Sequence, residues 1–212
     1  METKNNSKTI AVFDFDGTLT KGDSFWRFLF FSTGFFKVFA AGMSKFFLMW
    51  ASIFAPHKYA DDAKEYLIDS LLGNRQLDEM QKLANDFARK IITSRLKYPT
   101  VQRLRFHQME GHEILVISAS PSIYVTPACK LLGITNVIAT ELKIVDGNLT
   151  GKYLGKNCRG PEKARRLEEF CGQFNKVFIY AYGNSGNDKE MLEYADIGIR
   201  VDRTDVSTPL NI

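Results

Sequence analysis

The chain has 212 residues, of which 45% are hydrophobic and 25% charged, and its formal net charge is +4. These values are ordinary for a globular protein and exclude a largely disordered chain. The length allows one substantial core, with or without a smaller inserted domain, and the modest, scattered positive charge predicts no nucleic-acid partner.

The first ten residues, METKNNSKTI, are polar up to the start of the first apolar run and lack the pattern of a secretory signal. The three cysteines, Cys129, Cys158 and Cys171, are odd in number and do not have the spacing of a metal site. Thiols in this pattern fit a reducing compartment. We therefore expect a cytoplasmic protein.

Strand-like apolar runs alternate with helical patterns along most of the chain. The runs lie at about 9–13, 112–117, 136–139, 176–181 and 196–201. The helical patterns between them end at Gly111, Gly133 and Gly172, as helices commonly do. This alternation predicts an α/β fold with a Rossmann-like, doubly wound parallel sheet, in which ligands bind at the carboxyl ends of the strands.

A long segment without a convincing strand follows the first strand. Its apolar residues keep helical spacing in two stretches: Ala63, Leu67 and Leu71, then Leu77, Met80, Leu83, Phe87 and Ile91. We predict a helical cap at 23–100, inserted into a core made of 1–22 and 101–212. Farther on, ELKIVDGNLTGKY has alternating runs on either side of the turn Asp146-Gly147-Asn148, which predicts a β-hairpin beside the core.

The first strand leads into AVFDFDGTLT, in which one residue separates two carboxylates. Because side chains alternate along a strand, Asp14 and Asp16 should point the same way. Two such charges are costly together unless a cation, a shared proton or a ligand compensates. The pair therefore predicts either a metal site or a division of roles between the two acids.

Three further polar groups follow strands or begin helices. Ser118 closes the apolar run ILVI, and its hydroxyl and the following backbone N–H groups can cradle an anion. Lys163 lies in GPEKARRL, and the glycine-rich GNSGND brings Asn184 and Asp188 to the strand end after KVFIYA. Singly, each group is also typical of an ordinary turn or surface. Together they predict one active site at the sheet edge.

The chain resembles the haloacid dehalogenase-like superfamily of aspartate-nucleophile phosphohydrolases across nearly its whole length. The resemblance rests on four motifs in the same order, with a helical segment after the first: DFDGTLT, VISAS, GPEK and GNSGNDKEML. The cap position (type C1) and the motif spacing are similar to those of subfamily IB, which includes phosphoserine phosphatases and phosphatidylglycerophosphatase C. The resemblance implies an Mg²⁺-dependent phosphomonoester hydrolase that forms an aspartyl-phosphate.

The resemblance also implies a role for each motif residue. Asp14 would be the nucleophile, and Asp16 the general acid and then the base. Mg²⁺ would bind the Asp14 carboxylate, the Asp16 main-chain carbonyl and Asn184, with Asp188 orienting the ligands. Many relatives carry Asp where this chain has Asn184, so the site loses one negative charge. A phosphate-binding protein with weakened catalysis is therefore a further alternative.

Ser118 would bind phosphoryl oxygens and Lys163 would offset the charge on the phosphorylated aspartate. The full set expected around phosphate and substrate is Gly17, Thr18, Asp23, Arg27, Ser118, Ala119, Ser120 and Lys163.

The start of the cap is rich in aromatic residues: Phe25, Trp26, Phe28, Phe35, Phe36, Phe39 and Trp50. The only charged residues between positions 25 and 54 are Arg27, Lys37 and Lys45, and no uncharged run approaches the length of a membrane span. An aromatic, cationic segment can lie in a bilayer interface and attract anionic lipid headgroups. This predicts a lipid or otherwise apolar phosphomonoester, such as phosphatidylglycerophosphate, and peripheral contact with the inner face of the membrane.

Two alternatives stay open for this aromatic segment. The rings could pack within the cap or against a second subunit, and the substrate could be a soluble metabolite such as phosphoserine. The sequence does not define the oligomeric state. A basic cluster, Lys156, Arg159, Lys163, Arg165 and Arg166, is either a solvated helix face or the neighbour of an anionic ligand. The histidines, His57, His107 and His112, lie outside the motifs and are expected to be surface or helix residues.

Overall fold

The computed structural model describes residues 7–44 and 56–202. The strands are β1 (Ser7–Phe13), β2 (Glu113–Pro121), β3 (Asn136–Thr140), β4 (Leu142–Val145), β5 (Asn148–Tyr153), β6 (Lys176–Gly183) and β7 (Ile197–Arg200). The helices are α1 (Ser24–Thr33), α2 (Phe35–Ser44), α3 (Pro56–Leu72), α4 (Leu77–Ser94), α5 (Tyr98–Met109), α6 (Ser122–Leu131), α7 (Pro161–Cys171) and α8 (Lys189–Tyr194), the last preceded by a 3₁₀ turn at Gly186–Asp188. All five predicted strand runs and the predicted hairpin are confirmed.

Five parallel strands form the central sheet, in the order β3-β2-β1-β6-β7. The central strand β1 is apolar throughout its second half because both of its faces are covered. Ala11 and Phe13 face one hydrophobic cluster, whereas Ile10 and Val12 face the other, and all four are fully buried. The predicted doubly wound α/β fold is confirmed.

Different helices cover the two faces of the sheet. The cluster around Phe13 includes Leu104 of α5 and Tyr124 of α6 and continues into the cap. The cluster on the other face includes Leu167 of α7 and Met191 of α8. The carboxyl ends of β1, β2 and β6 therefore open toward the cap, between helices that hold the sheet from both sides.

Helices α1 to α4 lie between β1 and β2, where the sequence predicts the cap. Helix α4 buries the predicted stripe at Met80, Phe87 and Ile91 and packs against α6. The domain boundaries at 23 and 100 stay a prediction. Some residues named in the predictions lie outside the described part of the chain. These are Lys45 and Trp50 of the cap, and the ends of the predicted core at 1–6 and 203–212.

The aromatic residues of the cap divide into two groups. Phe25 and Phe28 are buried against the core, whereas Phe35, Phe36 and Phe39 on α2 expose 62%, 86% and 58% of their surface. Packing of the cap therefore explains only the first group. Within the described part of the chain, no helix has both the length and the apolar character needed to cross a bilayer.

The hairpin β4–β5 packs against the cap, which corrects the expectation that it lies beside the core. The Asn74 N–H, in the turn after α3, donates to the Leu149 carbonyl of β5 at 2.7 Å. Gly151 has a φ of 80°, and a Cβ there would lie 2.4 Å from the Cα of Asp69 on α3. The strand and the cap helix touch backbone to backbone, so only glycine fits.

Candidate active site

A cavity of about 490 Å³ lies at the carboxyl ends of β1, β2 and β6, beneath the cap. The core side of its wall consists of Asp14, Asp16, Gly17, Ser118, Ala119, Ser120, Asn157, Arg159, Lys163, Asn184, Ser185 and Asn187. The remaining lining residues, from the cap and the turn leading into it, are Gly22, Asp23, Phe25, Trp26, Ala63, Lys64 and Leu67. The four predicted motifs thus meet at one site, where sheet geometry places the strand ends.

Asp14 follows the last residue of β1 and is 5% exposed. Its N–H continues the sheet ladder by donating to the Tyr182 carbonyl at 2.9 Å. Its carboxylate accepts from Lys163 Nζ at 2.6 Å through Oδ1 and from Thr18 Oγ1 at 2.9 Å through Oδ2. Burial raises the pKa of Asp14 to about 7, although Lys163 acts in the opposite direction. The carboxylate is therefore fixed in position, but the cost of burying its negative charge is only partly offset by Lys163.

Lys163, in the first turn of α7, is buried between two carboxylates. Its Nζ lies 2.6 Å from Asp14 Oδ1 and 2.6 Å from Asp188 Oδ1. Burial alone would lower the pKa of Lys163, but the two acids outweigh it and the pKa is raised. One ammonium faces two carboxylates, so this group carries a net negative charge that a further cation would balance.

Asp188 holds the loop that follows β6. Its Oδ2 accepts from the N–H groups of Asn184 at 3.1 Å and Ser185 at 2.9 Å, and from Ser185 Oγ at 2.9 Å. Burial would raise the pKa of Asp188, but Lys163 and these donors lower it. Both oxygens are used inside the protein, so Asp188 orients its neighbours, as the sequence implied.

Asp16 lies in the turn beyond β1. The strand ends at Phe13, so strand alternation does not bring Asp16 to the site. Its Oδ1 accepts from the Ser24 N–H at 2.7 Å and its Oδ2 from Ser120 Oγ at 2.5 Å. Burial raises its pKa despite these bonds. Asp14 and Asp16 thus share one cavity but have separate hydrogen-bond partners, which suits a division of roles.

The geometry around Asn184 fits a cation. The inward atom of its side-chain amide lies 2.8 Å from the Asp16 main-chain oxygen and 3.2 Å from Asp14 Oδ2. If the amide nitrogen of Asn184 faces inward, both contacts are hydrogen bonds. If the amide oxygen faces inward, three oxygen atoms converge, from Asn184, Asp16 and Asp14, and oxygen ligands are those that Mg²⁺ prefers. A Cβ on Gly17 would lie 2.3 Å from the Asn184 side chain, so glycine is required there.

This cation site would differ from one built of carboxylates alone. Among the residues that the structure describes, no cluster of three or more His, Cys, Asp or Glu side chains could hold a metal ion. The candidate ligands are instead one carboxylate, one main-chain carbonyl and one amide, which are the groups that the family resemblance implies. All three are oxygens, so the set suits a hard cation.

The end of β2, where the sequence predicts an anion cradle, lines the cavity with Ser118, Ala119 and Ser120. Ser118 is buried, and its Oγ accepts from the Ser120 N–H at 3.0 Å. Asp23, at the cavity rim, caps α1 by accepting from the Phe25 N–H at 2.7 Å. Arg27 is exposed on α1 and does not line the cavity. Helix α1 buries Phe25 and Phe28, and a Cβ on the cavity-lining Gly22 would lie 4.0 Å from Arg27 Nη2. The substrate contact expected of Arg27 stays a prediction.

Two cations on the cavity wall were not singled out by the sequence. Lys64 of α3 donates through Nζ to the Ala119 carbonyl at 2.6 Å and lies 4.8 Å from the centre of the Phe25 ring. Burial lowers the pKa of Lys64 to about 8, while nearby acids, chiefly Asp16, act in the opposite direction. The helical pattern around Lys64 is recognised from the spacing of its apolar residues, and this spacing gives no information on which polar residues reach the active site.

The second is Arg159, which sequence reasoning placed only within the basic cluster. Arg165 and Arg166 pair with Glu162 on the outer face of α7, as expected of a solvated helix. Arg159 instead lines the cavity. Members of the cluster therefore differ in place: Arg159 and Lys163 face the cavity, whereas Arg165 is exposed on α7.

The histidine expectation holds for His107, which is a helix residue. His107 is in α5, but it is fully buried, with Nε2 2.8 Å from Tyr182 Oη and Nδ1 2.7 Å from His112 Nδ1. Burial lowers the pKa of His107 to about 3. The side chain of His57 lies outside the described residues.

Comparisons with known proteins agree with this geometry. Residues 11–193 match the model of the haloacid dehalogenase-like hydrolase family. Protein CicA of Caulobacter vibrioides is 31% identical over 189 residues, which cover 88% of this chain and 83% of CicA. Histidinol-phosphatase of Neisseria meningitidis serogroup C is 31% identical over 127 residues, or 57% of each chain. A crystal structure of phosphoserine phosphatase in apo form aligns with a TM-score of 0.60 over 89% of this chain and 83% of that chain; at 18% identity it supports the shared fold alone.

Proposed function

Since this chain belongs to the haloacid dehalogenase-like hydrolase family, we propose that it is a phosphatase that hydrolyses phosphomonoesters through an aspartyl-phosphate on Asp14. The observation that carries the proposal is the buried group of Asp14, Lys163 and Asp188, in which one carboxylate faces the cavity and the other holds the loop. Ser118, Ala119 and Ser120 line the same cavity and would contact a phosphoryl group bound to Asp14. The phosphatase names of several relatives agree with this activity.

In the first half of the reaction, a carboxylate oxygen of Asp14 attacks phosphorus and the bond to the ester oxygen breaks. Asp16 gives its proton to the departing alcohol oxygen, and its raised pKa favours a carboxyl that still holds that proton. In the second half, Asp16 takes a proton from water, the water oxygen attacks phosphorus, and phosphate leaves with the Asp14 carboxylate restored. Ser118 and Lys163 bind the phosphoryl oxygens throughout.

Mg²⁺ is the cofactor that the oxygen-only ligand set favours, and Asp14, the Asp16 carbonyl and Asn184 would hold it. When bound, Mg²⁺ supplies positive charge that keeps Asp14 ionised and offsets the charge of the phosphoryl group. The net negative charge around Lys163 supports this assignment. A likeness to subfamily IB, with its cap of type C1, is part of the same proposal.

We further propose that the preferred substrate carries an apolar group, as a lipid phosphomonoester such as phosphatidylglycerophosphate does. Phe25, Trp26 and Leu67 form an apolar wall of the cavity. The exposed rings of α2 surround Lys37, and no acidic residue lies in α1 or α2. Such a surface complements an anionic bilayer, so peripheral contact with the inner face of the membrane fits a cytoplasmic enzyme that acts on lipid.

A second substrate class has its own support. Asp23, Lys64 and Arg159 place charges of both signs on the cavity wall, more than the sequence predicted for the cap entrance. A small charged metabolite, such as phosphoserine or histidinol phosphate, needs several fixed polar partners of this kind. The size of the cavity, about 490 Å³, suits a molecule of this class.

Phosphate release from matched monoesters in Mg²⁺ tests the activity and separates the two classes. The panel is lysophosphatidate, phosphatidate and phosphatidylglycerophosphate beside phosphoserine and histidinol phosphate, with and without anionic vesicles. We expect the highest kcat/KM for a lipid ester. A higher value for a soluble ester would replace the lipid proposal, and phosphate binding without hydrolysis of any ester would make the chain a binding protein.

Vesicle co-sedimentation tests the membrane contact separately. Replacing Phe36 and Phe39 by serine should release the protein from anionic vesicles. Tyr98, which is 71% exposed at the start of α5, provides the matched control, since Tyr98→Ser removes a ring from a different surface. Equal binding by both variants would contradict the contact through α2.

A further inference from the structure

One polar face of cap helix α3 contacts three segments from the second half of the chain. Asp61, Lys64 and Glu65 have the spacing that puts side chains on the same side of a helix. Asp61 contacts the loop before α7, Lys64 the end of β2, and Glu65 the hairpin strand β5. The first two segments carry residues of the candidate active site, so the position of α3 bears directly on that site.

Asp61 contacts two residues of the loop before α7. Its Oδ1 accepts from Asn157 Nδ2 at 2.6 Å and from Arg159 Nη1 at 3.4 Å. On its other edge, Arg159 donates through Nε to Asn187 Oδ1 at 2.9 Å. The guanidinium thus joins a carboxylate of the cap to the loop that follows β6, and its planar, forked geometry suits such a bridge.

Asn187 is part of the hydrogen-bonded loop that presents Asn184. Its N–H donates to Ser185 Oγ at 3.2 Å, and that hydroxyl donates to Asp188 Oδ2 at 2.9 Å. Its carbonyl accepts from the Gly160 N–H at 3.2 Å, which ties the loop to the segment carrying Arg159. An unbroken series of hydrogen bonds therefore runs from the cap to the group that includes Asp188.

We infer that Asp61 is a positioning residue that couples the seating of α3 to the geometry of loop 184–188 by way of Arg159 and Asn187. With α3 seated, Asp61 holds the guanidinium against Asn187 and the loop is aligned. With α3 displaced, Arg159 loses its acidic partner and the loop loses a restraint. The kinetic consequence of this coupling rests on the proposed phosphatase function, whereas the structural coupling does not.

Amide hydrogen exchange in the metal-free protein tests the coupling without any substrate. The N–H groups of residues 184, 185, 187 and 188 are all hydrogen-bonded within the loop. Asp61→Asn should make them exchange about tenfold faster, an effect of the size expected from one charge-assisted hydrogen bond. Asp62→Asn removes the same charge from the exposed neighbouring position and is the matched control.

A double-mutant cycle in the same assay isolates the Asp61–Arg159 contact. Arg159→Lys keeps the positive charge but removes the guanidinium group that contacts Asp61 and Asn187 at the same time. Combining Arg159→Lys with Asp61→Asn should therefore cause little further increase in the amide exchange rate of the loop. Unchanged exchange in Asp61→Asn, an equal change in Asp62→Asn, or additive effects would overturn the inference.

Steady-state kinetics supply an independent readout on whichever monoester is hydrolysed. We expect Asp61→Asn to lower kcat about tenfold with little change in KM, because the loop and not the substrate is affected. A rise in KM alone would instead make Arg159 a substrate-binding residue and overturn the inference. If the wild type hydrolyses no ester, the proposed function fails, while the exchange experiment still decides the coupling.

Discussion

Replacing the nucleophile should abolish turnover and make the metal-free protein more stable. Asp14 is one of two carboxylates that share the buried ammonium of Lys163. In Asp14→Asn the amide oxygen can still accept from Lys163, but one of the two buried negative charges is gone. Lys163 and Asp188 then form a balanced pair, so the folded state no longer bears an uncompensated charge.

The magnitude follows from the pKa of Asp14, which rises from 3.8 to about 7 on folding. Each pH unit between the two values corresponds to about 1.4 kcal/mol, so ionised Asp14 disfavours the folded state by up to about 4 kcal/mol above pH 7. This pKa already includes the attraction of Lys163 for the ionised carboxylate, so nothing more is subtracted for the weaker bond to an amide. We therefore expect Asp14→Asn to raise the free energy of unfolding by up to about 4 kcal/mol at pH 8.

The pH dependence has a defined sign. Because the folded pKa of Asp14 lies above the unfolded one, the folded state keeps its proton in the window between pH 4 and pH 7. The cost of ionisation is therefore absent below about pH 4, grows through this window and is complete above pH 7. The advantage of Asp14→Asn should therefore shrink as the pH falls from 7 to 5.

Urea unfolding in EDTA at several pH values between 5 and 8 measures the difference, with the exposed Asp62→Asn as the control for loss of a carboxylate. Added Mg²⁺ should stabilise the wild type more than the variant, since the ion binds the carboxylate. A variant that is less stable than the wild type at pH 8, or a difference that does not change with pH, would refute this reasoning. Residual phosphate release above a few per cent would refute the nucleophile assignment.

Further predictions concern four other positions. Asp16→Asn should cripple turnover, as measured by phosphate release, while leaving Mg²⁺ binding intact by calorimetry. Asn184→Asp should lower the Mg²⁺ concentration for half-maximal activity, because a carboxylate binds a hard cation better; an unshifted titration would remove Asn184 from the ligand set. Gly151→Ala should destabilise the protein by roughly 2 kcal/mol or more in urea unfolding, from a φ of 80° and a clash with Asp69. Because the pKa of His107 is lowered from 6.5 to about 3 on folding, the free energy of unfolding should fall by about 1.4 kcal/mol for each pH unit below 6.5. In His107→Phe, unfolding measurements below pH 6.5 should therefore show a weaker dependence of stability on pH.

The residues that the sequence could place are those fixed by the sheet. Asp14 and Lys163 lie 149 residues apart, yet they meet at 2.6 Å because one follows a strand and the other begins the helix that packs on the same sheet. The rule that parallel strands present their carboxyl ends together is enough to predict this. Asn184 and Asp188 follow from the same rule.

The cap residues could not be placed in this way. Arg27 lies close to the first motif in sequence but is exposed and does not line the cavity, because α1 buries the face that carries Phe25 and Phe28. Lys64 and Asp61 lie far from every motif and reach the site only through the way α3 seats on the core. Apolar periodicity predicts that a helix has a buried face, but it does not say which core loop its polar face will meet.

The hairpin β4–β5 has a consequence for exchanging parts between related enzymes. It belongs in sequence to the second half of the chain, but in space it is a layer of the cap, joined to it through Asn74 and through the contact of Gly151 with Asp69. The lid over the substrate is therefore encoded by two separate stretches of the gene. A chimera that transplants 23–100 alone would carry a lid without its outer strands, so a transferable unit has to include residues 141–154 as well.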